Sequence, residues 1–234
     1  MKVVKESRLF YAPKLKVQLG EFLLDAEESH HLIKVLRSNL GDEIKVTNGK
    51  GLLMIGDITN ADKKKTVITL RKILEEKKIE SQITIAISPT KSIDRFEWFL
   101  EKATEIGVER IIPFLCENSE RRSIKNERLD KILVSAMKQS GRLWKPVLEE
   151  ITSFDELIES IATDHKLIAH CHDEAKGKLS SKKGSVTILI GPEGGFSRSE
   201  LKKARSTNIE GVSLGEYRLR SETAGIVACQ LLSM

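Results

Sequence analysis

The periodicity of this chain changes once, and that change limits its fold more than any other feature. Up to residue 75, short apolar stretches (9–12, 16–19, 21–24, 43–47, 52–58 and 66–73) alternate with the turn formers Gly20, Gly41-Asp42, Asn48-Gly49 and Asn60-Ala61-Asp62. A helical interruption over 27–37 places Leu32, Val35 and Leu36 on one face. Many short strands with little helix predict a small β-barrel. From residue 76 onward, apolar strands at 83–88, 111–115, 167–171, 186–190 and 212–214 alternate with helical stretches at 94–106, 127–143, 153–161, 197–206 and 222–232. That alternation predicts an α/β domain built on a mostly parallel sheet. The charged run Glu75-Glu76-Lys77-Lys78 marks the boundary, giving expected domains of 1–75 and 76–234.

Charge follows the same division. Residues 1–75 carry 14 Lys and Arg against 10 Asp and Glu, whereas the rest carries 25 against 24. Most of the net +5 therefore lies on the smaller domain, the signature of a polyanion-binding module beside a nearly neutral catalytic one. A composition of 40% hydrophobic and 31% charged residues suits a soluble globular protein. The longest apolar run, 186–190, is strand-sized and far short of a membrane span, and the N-terminus carries no apolar signal core. Cys116, Cys171 and Cys229 are odd in number and widely spaced, which reads as reduced thiols and a cytoplasmic location. His170-Cys171-His172-Asp173 has no further ligands at metal spacing, so no metal is expected.

Two loops carry the chemistry. In the first, the strand at 186–190 runs into Gly191-Pro-Glu-Gly-Gly-Phe196 and then a helix opened by Ser197, with Glu200 as its capping-box partner. In an open α/β sheet ligands bind at the carboxyl ends of strands, and glycines there admit a ligand close to the backbone. Neither the Walker A pattern nor the dinucleotide fingerprint is present. A ligand without phosphates, read by backbone groups, fits better. The second loop, after the strand at 212–214, holds Gly215, Arg218 and Arg220 and leads into a helix near Glu222. Both loops can line one pocket.

GPEGGFS at 191–197, followed by the LGxxxLRxETA pattern at 214–224, resembles the small-subunit (16S) ribosomal RNA uridine-N3 methyltransferases of the SPOUT superfamily. Further segments are similar to that family: Arg8-Leu-Phe-Tyr11, the 31–37 stretch from His31 to Arg37 with Gly41-Asp42, the 102–107 stretch ending at Gly107, and Gln139-Ser-Gly-Arg142 with Pro146. Lys138 stands where the family usually has glutamate, and Tyr217 and Arg218 where it often has a basic and an aliphatic residue.

The resemblance implies a trefoil-knotted α/β domain behind a PUA-like β-barrel, a homodimer, and S-adenosylmethionine as cofactor with S-adenosylhomocysteine as product. It implies cofactor contacts from Leu189, Gly191, Glu193, Gly194, Gly195, Leu214, Gly215 and Leu219. It implies RNA contacts from Arg8, Arg37, Gln139 and Arg142, with 16S ribosomal RNA in the assembled small subunit as partner. Uracil N3 becomes nucleophilic only as its proton leaves. A guanidinium stays protonated, so Arg220 is expected to stabilise the developing uridinate or hold a flanking phosphate, with Glu222 as the candidate base. A non-catalytic RNA-binding module would leave the glycine loops without a ligand, and a nucleotide hydrolase would need the missing P-loop lysine.

Overall fold

The computed structural model describes residues 9–75, 82–172 and 176–234. The chain divides into two compact units, Met1–Lys78 with Met137–Lys145, and Ile79–Ala136 with Pro146–Met234.

The first unit is a five-stranded sheet in the order β1-β3-β4-β5-β2, from β1 (Leu9–Tyr11), β2 (Gly20–Leu23), β3 (Glu43–Thr47), β4 (Leu52–Asn60) and β5 (Val67–Glu75). Alternate residues of β4 are buried, among them Met54 and Ile58, and they pack with Phe10, Leu32, Val46 and Ile68 in the core. The expected strand at 16–19 does not form. Its apolar alternation faces water instead, with Val17 59% and Leu19 60% exposed. The expected helix at 27–37 is broken into α1 (Ala26–His30) and a π-helical turn, His31–Val35. Arg37 follows it at φ 52, in the left-handed region, where the helix cannot continue.

Residues Met137–Lys145 join this unit through paired backbone bonds. Gly51 N–H donates to Leu143 O and Lys145 N–H to Gly49 O, both at 2.9 Å. Lys138 adds an ion pair, its Nζ 2.6 and 2.9 Å from the carboxylate oxygens of buried Glu28. The lysine that departs from the family pattern thus has a local partner.

The second unit is an all-parallel sheet in the order β11-β13-β10-β12-β6-β7-β8, with β9 beside β7. Its strands are β6 (Gln82–Ile87), β7 (Arg110–Leu115), β8 (Val147–Leu148), β9 (Thr152–Ser153), β10 (His165–Ala169), β11 (Gly177–Lys178), β12 (Ser185–Ile190) and β13 (Glu210–Ser213). Five helices cover it: α2 (Ile93–Ile106), α3 (Asn126–Ser140), α4 (Phe154–Ser160), α5 (Arg198–Ser206) and α6 (Ser221–Ser233). β12 is buried along almost its whole length, as a central strand covered on both faces must be. Phe96, Phe99, Leu100 and Ala103 form the buried stripe of α2, and Gly107 at φ 118 ends it with a left-handed cap. α3 stops at Ser140 rather than reaching 143, because Gly141 turns left-handed at φ 72.

The topology positions the site. β13 pairs on the far side of β10, yet α6 packs against α2, β6 and β12. The chain between them therefore returns across the carboxyl ends of β10 and β12. At Gly225 an added Cβ would lie 2.6 Å from the Phe99 ring, so the α2–α6 crossing admits only glycine there.

Candidate active site

A cavity of about 880 Å³ opens at the carboxyl ends of β10, β12 and β13, within the volume range of small-molecule sites. Both glycine loops line it. Of the cofactor residues expected from sequence, Gly191, Glu193, Gly194, Gly195, Leu214, Gly215 and Leu219 are all on its wall, and so is Arg220.

Two kinds of glycine make the first loop. At Gly191 an added Cβ would lie 3.0 Å from the Phe196 ring, and at Gly194 it would lie 3.0 Å from Asn118 Cβ. Those positions let the loop pack against its own protein. At Gly195 (φ 73) and Gly215 (φ 153) a Cβ would meet nothing within 4 Å. Their backbone fronts open space, where a bound molecule can approach without obstruction.

The loop is held from several sides. Ser197 and Glu200 close the expected capping box, Ser197 N–H donating to the Glu200 carboxylate at 2.8 Å and Glu200 N–H to Ser197 Oγ at 3.2 Å. Asn118 Nδ2 donates to Gly195 O at 3.1 Å, and Ser221 Oγ to Gly191 O at 2.8 Å. Glu193 accepts Lys91 N–H on its carboxylate at 3.0 Å, while its carbonyl accepts the Arg218 guanidinium at 2.9 Å. Arg121 fixes the backbone on which Lys91 sits, donating to Thr90 O at 3.0 Å and Lys91 O at 2.7 Å. Asn118, Arg121, Ser221 and Lys91 were not legible as site residues, because they act through tertiary bonds spanning up to 102 residues.

The two arginines of the second loop have different tasks. Arg218 is engaged by Glu193. Arg220 is exposed at the N-cap of α6 and lines the cavity, and among the described residues its guanidinium makes no hydrogen bond or ion pair. It is a cation available to a ligand.

Two of the expected site residues have side chains that lie off the cavity wall. Leu189 is 0% exposed, and its side chain packs with Phe114, Phe196 and Leu201 in the core behind the sheet. Side chains alternate along a strand, so Ile190 rather than Leu189 reaches the cavity. Glu222 is buried in the first turn of α6 and does not line the cavity. Its Oε1 lies 3.8 Å from Arg95 Nε, and its Oε2 has no hydrogen-bond partner among the described residues.

Arg37 is exposed on the first unit, and Gln139 and Arg142 belong to the segment clustered with that unit, not to the sheet that forms the cavity. Arg8 lies outside the described residues. His170, at the end of β10, is nine-tenths buried against Gly211. Burial first, then the charges of Lys176, His172 and Arg205, pushes its pKa down to about 4, so it stays neutral. Among the described residues no group of three His, Cys, Asp or Glu side chains is placed to hold a metal ion.

Comparison with known proteins decides the family. Residues 76–233 match the model of the RNA methyltransferase domain, and residues 24–70 that of the RNA methyltransferase PUA domain. The ribosomal RNA small subunit methyltransferase E of Buchnera aphidicola is 30% identical, over 97% of this chain and 93% of that one. The chain belongs to this methyltransferase family. A probable rRNA methyltransferase from Porphyromonas gingivalis has a solved structure with 40% identity, 95% of each chain covered and a TM-score of 0.87. The structure of the Neisseria gonorrhoeae small subunit methyltransferase E, bound to S-adenosylmethionine, superposes with a TM-score of 0.87 at 27% identity, again over 95% of each chain. The fold is therefore an α/β domain of the SPOUT type preceded by a PUA-like domain.

Proposed function

We propose that this protein transfers a methyl group from S-adenosylmethionine to N3 of a uridine in small-subunit (16S) ribosomal RNA. One observation carries the reading: both glycine loops converge on the same cavity, which is also lined by Arg220, whose guanidinium is unpartnered among the described residues. The cavity suits the cofactor. Gly195 and Gly215 present backbone to open space, as a nucleoside and an amino acid read by N–H and C=O groups require. The match to a relative described with S-adenosylmethionine bound supports the same choice.

When bound, the cofactor supplies an electrophilic methyl on a sulfonium, and no metal is needed. The protein's part is positioning and field. Gly191, Glu193, Gly194, Gly195, Leu214, Gly215 and Leu219 hold the donor. Arg220 faces the acceptor and stabilises the negative charge that develops on the uracil as N3 loses its proton. Glu222, turned toward Arg95, is not assigned the proton.

The PUA-like unit binds the RNA through Arg8, Arg37, Gln139 and Arg142, with the assembled small subunit in the cytoplasm as the natural substrate. No helix among the described residues is long and apolar enough to cross a membrane. The working form is a homodimer. Trp98 on α2 is 43% exposed, and Ile226, Val227 and Leu231 on α6 are only half-buried, apolar surface that a second copy would cover.

Titration calorimetry with S-adenosylmethionine and with ATP, followed by single-turnover methyl transfer and mass mapping of the product nucleoside, tests the reading. Cofactor binding with 3-methyluridine as product is the expected result. ATP binding without methyl transfer would overturn it. Light scattering at micromolar concentration tests the dimer, and a monomeric mass would remove it.

A further inference from the structure

Tyr217 is 84% exposed, the most exposed large apolar side chain of the described residues, and it sits at the mouth of the cavity. A single exposed ring is ordinary by itself, so its place at the cavity, beside a cation, is what gives it meaning. The loop beneath it is tied down. Ser213 Oγ donates to Gly215 O at 2.9 Å on one side. On the other, Arg218 reaches Glu193 O and Ser221 Oγ reaches Gly191 O. Through Glu193, the Lys91 backbone and Arg121, that anchoring extends to the loops after β6 and β7. The ring is thus carried on ordered backbone, and three residues on, the free guanidinium of Arg220 faces the same space.

A fixed, solvent-facing ring beside an unengaged cation is how proteins hold an unstacked base. The ring takes the base's face, and the cation takes its carbonyl oxygens or the adjoining phosphate. We propose that Tyr217 is a stacking platform for a base of the RNA substrate at the mouth of the cofactor cavity, with Arg218 as the residue that positions it. This rests on the RNA methyltransferase reading above. The occupant is RNA rather than cofactor, because the ring is exposed at the mouth whereas the glycine backbone that suits the cofactor lies along the wall.

The test uses the full chain with assembled small subunits, or a small-subunit ribosomal RNA fragment, as substrate. Tyr217→Ala should raise the RNA KM by roughly five- to a hundredfold, the range of one lost base–aromatic stack. It should leave kcat within about twofold and S-adenosylmethionine affinity unchanged. Stacking releases no counterions, so the salt dependence of RNA binding should stay as it was. Tyr217→Phe and Tyr217→Trp should restore the KM. Arg218→Ala should cost less than Tyr217→Ala, and adding it to Tyr217→Ala should cost nothing further. An unchanged RNA KM in Tyr217→Ala would remove the platform while leaving the enzyme reading intact. Failure of Tyr217→Phe would reassign the effect to the hydroxyl. Lost cofactor affinity would mean that the ring serves the cofactor, and a shift to monomer would place it in a subunit interface. Either result overturns the proposal. Absence of methyl transfer by the unaltered chain would instead overturn the enzyme reading, and this proposal with it.

Discussion

The two loops that wall the cavity are both glycine-bearing strand-to-helix connections, yet they are held very differently. The 191–196 loop is braced by a capping box, by Asn118 and Ser221 on its carbonyls, and by Lys91 and Arg218 on Glu193. The 214–220 loop keeps residues 215–218 and 220 exposed and is secured mainly by Ser213 and Arg218. One loop is a finished wall and the other is a lip. Bracing suits the partner that must be bound the same way at every turnover. Exposure suits an RNA partner that must be reached from solvent.

That contrast can be broken by separating chemistry from grip. Arg220→Ala should lower turnover at saturating RNA by on the order of 10²–10³, the usual cost of one charge-stabilising donor, while S-adenosylmethionine affinity stays within about twofold. Single-turnover methyl transfer measures it. A normal rate would make Arg220 a binding residue and leave the lip without a chemical role.

Leu189 tests the opposite side of the wall. Leu189→Ala should cost about 2–5 kcal/mol of stability through the cavity it leaves in the core, with unchanged cofactor affinity in the folded fraction. Denaturant melts beside calorimetry separate the two effects. Lost affinity at unchanged stability would return Leu189 to the cofactor.

Gly195→Val combines both consequences. A side chain at φ 73 strains the backbone by about 1–2 kcal/mol, and its Cβ enters the open space of the cavity. S-adenosylmethionine affinity should fall at least tenfold, on the order of 1.4 kcal/mol, alongside a modest drop in melting temperature. Equal affinity would move the cofactor off this wall.

The smallest expected effect concerns pH. The pKa of His170 is lowered in the folded protein, so the unfolded chain binds its proton first as pH falls. Its contribution is therefore complete above about pH 6.5 and is lost as pH drops toward about 4. Replacing His170 with asparagine should flatten the melting temperature over that window, and an unchanged slope would show that another group carries it.

Much of this was legible in the sequence because local rules and the global fold agree. The apolar run at 186–190 followed by glycines gave strand, loop and capped helix at their observed places. So did Phe96, Phe99, Leu100 and Ala103 on α2. Where the structure places residues differently from that pattern, the cause is that period alone does not say which face is inside. Residues 16–19 alternate like a strand but have no partner, and Leu189 sits one residue from the face that meets the cavity. Glu222 had the right spacing for a base, but α2 supplies Arg95 on its side. The attachment of Met137–Lys145 to the first unit was invisible because it depends on backbone pairing across nearly a hundred residues. The bracing of Glu193 by Lys91 and Arg218 was hidden for the same reason, since neither bond leaves a local trace.

The return of the chain from β13 to α6 has a consequence for how the protein comes into being. The second wall of the cavity is made by the loop after β13, and α6, which follows it, seats against α2 and β6, more than a hundred residues earlier in the chain. Contacts so distant in sequence form late and slowly. A nascent chain can therefore assemble its sheet without being able to retain a methyl donor. Competence arrives when α6 docks.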